Sequence, residues 1–143
     1  MVAGRYTSDN VLSEGENMAN AKKAGEFSFK ATSVAYVLTE DGGGANHLDL
    51  DGTATGYGEV LGTLSLFGDG PMAQSGPASW VGTAYLDNGD VIESTGAGFF
   101  EKVGKHKWRV RSIMRGSTGA VFMTDGVISL KGRTYKGTMT PFE

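Results

Sequence analysis

The chain has 143 residues, enough for one domain with its own core, and 39% hydrophobic with 20% charged residues reads as globular rather than disordered. A net charge of -3 gives no bulk electrostatic reason to bind nucleic acid or an anionic membrane, and the lack of cysteine excludes disulfides, thiolate catalysis and cysteine-based zinc sites. No segment approaches the roughly 18 consecutive apolar residues of a membrane-spanning helix, and the first 25 residues carry no apolar signal-peptide core, so a cytoplasmic location is the expectation.

Residues 1–25 are polar and poorly patterned, an N-terminal arm or tail in which Asn17 to Lys23 suggests a short helical turn. From residue 26 to 143 a single β domain is expected. Alternating segments run over Glu26–Leu38, His47–Tyr57, Glu59–Phe67, Ala78–Asp87, Asp90–Val103, Lys107–Arg115, Ala120–Leu130 and Arg133–Thr140, separated by Gly, Asn and Asp turn signals. Asn88-Gly89 is the strongest of these signals, because a type I′ hairpin turn needs positive φ at both central residues. Short connections make consecutive strands antiparallel neighbours. The expectation is an eight-stranded antiparallel meander closing into a barrel, with a two-sheet β-sandwich as the alternative. The chain holds 23 glycines, which interrupt helices but permit the bulges and bends that a small closed sheet needs. Gly-Thr recurs at Gly52-Thr53, Gly62-Thr63, Gly82-Thr83 and Gly137-Thr138, read as repeated strand chemistry rather than duplication.

Two-residue turns at Asn88-Gly89 and Gly104-Lys105 assign the faces. Leu86 then opposes Val91, Ala84 opposes Glu93, and Glu101 opposes Trp108. One face carries Trp80, Gly82, Ala84, Val91, Glu93, Ala97, Phe99, Glu101, Trp108, Val110, Ser112 and Met114. The other carries Val81, Tyr85, Ile92, Phe100, Lys102, Lys107, Arg109, Arg111 and Arg115, and its cations place it in solvent. The tryptophan face is the expected interior. Gly82, Ala84 and Ala97 leave room there for a cavity, or admit large side chains from across the barrel.

Glu93 and Glu101 are the candidate catalytic residues, since a carboxylate on an apolar inner face has a raised pKa suited to proton transfer, unless it reaches water at a barrel mouth. Trp80, Trp108, Phe99, Met114 and Tyr135 are the expected ligand-binding walls. His47, Asp49 and Asp51 alternate on one face of the second strand like half a metal site, but Leu48, Leu50, Gly52 and Ala54 form the apolar opposite face, so the triplet points to solvent and no metal is expected. His106 reads as a solvent-exposed loop residue. No glycine-rich stretch precedes a helix, so a phosphate site lacks its physical basis.

The glycine-punctuated strands and the run Gly96-Ala97-Gly98-Phe99-Phe100-Glu101 resemble the allene oxide cyclase-like barrels, a group with a calycin-type architecture that includes dirigent proteins. The resemblance implies an apolar cavity, frequent oligomers, cyclisation or coupling of small hydrophobic compounds, and no metal or organic cofactor. The expected function is a barrel binding a small hydrophobic molecule, as a cofactor-free cyclase or isomerase. The alternatives are a non-catalytic carrier and a ligand-free interaction domain. The expected partners are a small apolar molecule and further copies of the chain, with neither nucleic acid nor membrane.

Overall fold

The computed structural model describes residues 25–69 and 73–142. The expected N-terminal arm and helical turn lie outside the described residues, apart from Gly25. Eight strands follow one another: β1 (Gly25–Leu38), β2 (Gly44–Ala54), β3 (Gly58–Gly68), β4 (Ser75–Tyr85), β5 (Val91–Gly104), β6 (Lys107–Gly116), β7 (Val121–Ser129) and β8 (Thr134–Pro141). Each pairs antiparallel with the next, and β1 pairs with β8 to close the barrel. The meander read from the sequence is the fold, and the sandwich alternative is set aside. Strand ends differ from the expected ones by up to three residues, most at β2 and β4. No helix of the described residues is long and apolar enough to cross a membrane.

Both turns used to assign the faces hold one residue more than expected. At the β4–β5 hairpin Gly89 N–H donates to Leu86 O and Leu86 N–H donates to Asp90 O, both at 2.9 Å. Only Gly89 has positive φ, at 94°. This is a type I turn closed by a glycine bulge rather than a type I′ turn. Tyr85 therefore opposes Val91, and Ala84 opposes Ile92. At the β5–β6 hairpin the register shifts between Lys102 and Gly104, so Lys102 opposes Trp108 and Glu101 opposes Arg109. Because strand side chains alternate, each slip of one residue turns β5 over. The slips cancel across β5, which is why the inner faces expected for β4 and β6 are those observed.

The interior of β5 is thus Ile92, Ser94, Gly96, Gly98 and Phe100, while Val91, Glu93, Thr95, Ala97, Phe99 and Glu101 face out. The core is aromatic and closely fitted. Phe27 and Tyr135 have ring centroids 4.8 Å apart, and Phe29 and Trp80 are 5.5 Å apart. The Trp80 indole lies over the paired Gly62 and Gly82, where an added Cβ would sit 2.3 and 2.4 Å from ring carbons. Gly96 sits between Trp80 and Met114 in the same way. Gly62, Gly82 and Gly96 are therefore seats for large side chains, whereas a Cβ at Gly98 would meet the Arg111 carbonyl of the neighbouring strand.

The wall is not continuous to both ends. β8 pairs with β1 only from Gly25 to Lys30, with one further bond from Ala31 N–H to Arg133 O at 2.9 Å. A bulge at Thr32 shifts the β1–β2 register, and beyond it β1 pairs with β2 alone.

Candidate functional site

The space inside the barrel is small. A cavity of about 60 Å³ remains among Trp80, Tyr57, Met114, Phe122, Thr124 and Tyr135. At roughly 10–15 Å³ per water this holds a few waters, against about 300–1,000 Å³ for a typical ligand pocket. Among the described residues its only titratable groups are Tyr57 and Tyr135. Burial pushes both hydroxyls up, Tyr135 strongly, with the Thr124 hydrogen bond opposing the shift. Both stay protonated at neutral pH, so they can donate hydrogen bonds but cannot act as bases.

A larger, mostly apolar concavity than this lies at the end of the barrel that carries the β1–β2, β5–β6 and β7–β8 turns. There a funnel of about 270 Å³ opens over an apolar floor of Leu48, Leu66, Phe100, Trp108 and Ile128. Four of these are buried, and Trp108 is half-buried. The rim carries Asn46, Gln74, Lys102 and His106, and no Asp or Glu lines the funnel among the described residues. Two backbone bonds hold the segments that carry Lys102 and His106. Lys102 N–H donates to Gln74 O at 2.8 Å, and Leu130 N–H donates to His106 O at 3.1 Å. His106 itself has φ of 57°, in the left-handed region, as the second residue of the tight turn Lys105-His106.

The structure distributes the expected site residues differently. Trp80, Met114 and Tyr135 do meet in the core, and Trp108 is on the same inner face at the funnel. Phe99 points outward and is 70% exposed, contrary to expectation. Glu93 and Glu101 also point outward, because the two hairpins each contain the extra residue described above. Glu101 Oε1 accepts a hydrogen bond from Arg111 at 3.2 Å on the open surface. The buried setting that gave these carboxylates a reason to move protons is not the one they occupy. Lys102, expected in the outward row of cations, belongs to the inner parity with Phe100 and reaches the funnel. The other arginines of that row are outside, where Arg109 holds Asp125 in a two-pronged ion pair at 2.6 and 2.9 Å.

His47, Asp49 and Asp51 face out, as the alternation required. His47 Nδ1 is 2.6 Å from Ser65 Oγ. Asp49 accepts hydrogen bonds from Ser33 at 2.6 Å and Thr63 at 2.8 Å, which hold its carboxyl below the usual range. Asp49 is thus occupied by hydroxyls, and no group of three or more metal-ligating side chains is assembled among the described residues. His106 is exposed as expected, yet its position at the rim gave no signal in the sequence. Phe100 could have been found: Trp80 and Met114 are large inner residues on flanking strands, and Gly96 is the only β5 parity that leaves them room.

A scan against protein-family models finds none that matches, and searches of curated proteins and of solved structures find no significant match.

Proposed function

We propose that the protein binds a small amphiphile, with an apolar body on the funnel floor and an anionic head at Lys102 and His106. The observation that carries this is the funnel itself: an aromatic and aliphatic floor beneath a rim that carries Lys102 and the hydrogen-bonding ring of His106, with no carboxylate lining it among the described residues. Apolar burial supplies most of the affinity, and the rim sets the orientation of the head. A carrier role is preferred to a cyclase or isomerase role on chemical grounds. Neither the funnel nor the inner cavity is lined by an Asp or Glu, and the buried tyrosines are held in their protonated forms.

The test is a titration with dodecanoate and, separately, with dodecanol, followed by tryptophan emission. Trp108 is the reporter, so the saturable change is expected to persist in Trp80→Phe and to vanish in Trp108→Phe. Lys102→Gln is expected to weaken dodecanoate about fivefold, the ~1 kcal/mol of an exposed ion pair, and to leave dodecanol unchanged. No saturable response to either compound overturns the reading. Equal loss for both compounds in Lys102→Gln overturns the anionic head.

A further inference from the structure

We infer that the open edge of β1, from Ser33 to Leu38, pairs antiparallel with the same edge of a second copy, joining two barrels by a continuous sheet. Thr39 N–H donates to Gly43 O at 2.9 Å, which makes Thr39 a residue whose polar groups point toward β2. Alternation along the β1–β2 ladder then directs Val37, Ala35 and Ser33 toward β2 and leaves the N–H and C=O of Val34, Tyr36 and Leu38 on the open side. The β8 ladder ends at Lys30, so no strand of the barrel reaches them.

Among the described residues this edge lacks the protections that monomeric sheets use. Natural edges carry lysine, proline, inward charges or bulges against strand addition. From Ala31 to Thr39 there is no charged residue and no proline, and the one bulge, at Thr32, lies below the free stretch. Four of its side chains are apolar or aromatic and exposed: Val34 at 45%, Tyr36 at 71%, Val37 at 44% and Leu38 at 72%. Such a run in the open has a partner or aggregates.

The charges at its ends specify the partner. Lys30 precedes the neutral run, and Glu40 and Asp41 follow it. An antiparallel pairing with Tyr36 on a two-fold axis places Val34 opposite the partner's Leu38. It also brings Lys30 to the level of the partner's Glu40 and Asp41, twice by symmetry. The pattern is self-complementary, as a two-fold interface demands. It supplies up to about six backbone hydrogen bonds, since each facing pair in such a ladder exchanges two.

Sedimentation equilibrium on the full chain at high micromolar concentration is expected to show a dimer. Tyr36→Lys and Tyr36→Glu each place like charges face to face on the axis and are expected to give monomers, with circular dichroism and thermal midpoint kept because the side chain is exposed. Mixing the two variants is expected to restore a dimer containing one of each. A wild-type monomer overturns the inference. So does a dimer that survives both substitutions, which would place the contact on the outer face around Phe99. Monomers that fail to re-pair on mixing overturn the two-fold self-pairing in favour of a strand from another protein. Val34 and Tyr36 also line the funnel, so dodecanoate binding is measured on the wild type alone: a monomer that binds, or a dimer that does not, tells the failure of one idea from the failure of the other.

Discussion

Gly82→Ala is expected to destabilise the barrel, although replacing a strand glycine with alanine usually favours folding by about 0.4–1 kcal/mol through the unfolded chain. The new Cβ would stand 2.4 Å from Trp80 Cζ2, 2.8 Å from Cε2 and 2.9 Å from Leu61 O. Carbon contacts begin near 3.5 Å, so the indole must retreat by about 1 Å. Its retreat into the small cavity beside it is opposed by the contacts that hold the ring. Its Nε1 donates to Ser94 Oγ at 2.9 Å, Phe29 lies 5.5 Å away, and Gly62 closes the remaining side. Overpacking of this kind costs about 1–3 kcal/mol, which leaves a net loss near 1–2 kcal/mol after the chain-entropy gain. With a urea slope of about 1–3 kcal/mol/M the unfolding midpoint falls by roughly 1 M at unchanged slope. Gly104→Ala is the control. Its Cβ would meet nothing within 4 Å, so its midpoint stays within error or rises. Trp80→Phe in the Gly82→Ala background relieves the clash, and the double-mutant cycle should show favourable coupling of about 0.5–3 kcal/mol. A neutral Gly82→Ala, or strict additivity with Trp80→Phe, would show that the small cavity beside Trp80 absorbs the displaced ring and that the indole is not held in its glycine seat.

Iodide is expected to quench Trp108, at the funnel, and to leave Trp80, which is 7% exposed, largely unquenched; Trp80→Phe and Trp108→Phe separate the two signals. Glu93→Gln and Glu101→Gln should change stability by no more than about 0.5 kcal/mol, as surface substitutions do, and a larger gain in urea melts would mean that these carboxylates are buried after all. Acid titration should reveal Asp49 and Asp125. Ser33 and Thr63 lower the first and Arg109 lowers the second, so their contribution is present above the ordinary value of 3.8 and is lost as the pH falls through the lower folded values. Asp125→Asn should therefore flatten the loss of stability below about pH 4, near the reference carboxylate value, and an unchanged acid limb would remove the ion pair from the account.

Much of the architecture was legible in the sequence because it depends on local chemistry. Alternation marked the strands, turn residues marked their ends, and short connections made neighbours antiparallel. Leu48 and Leu50 against Asp49 and Asp51 set the face of β2 without any need for a partner strand. The face of β5 was not local. Asn88-Gly89 suits a type I′ turn and a type I turn with a glycine bulge equally well, and the two differ by one residue of register. The pull of Trp80 and Met114 on the space at Gly96 decides between them, and that pull exists only once three strands are side by side. The same holds for the interior. Glycines opposite tryptophan can mean a cavity or a seat, and only the path of the indole across Gly62 and Gly82 shows which. The funnel and the free edge arise from strand lengths that do not match: β8 stops at the level of Lys30, while β1 continues to Leu38. Composition carries no trace of that mismatch, because it is a property of pairing between the two ends of the chain.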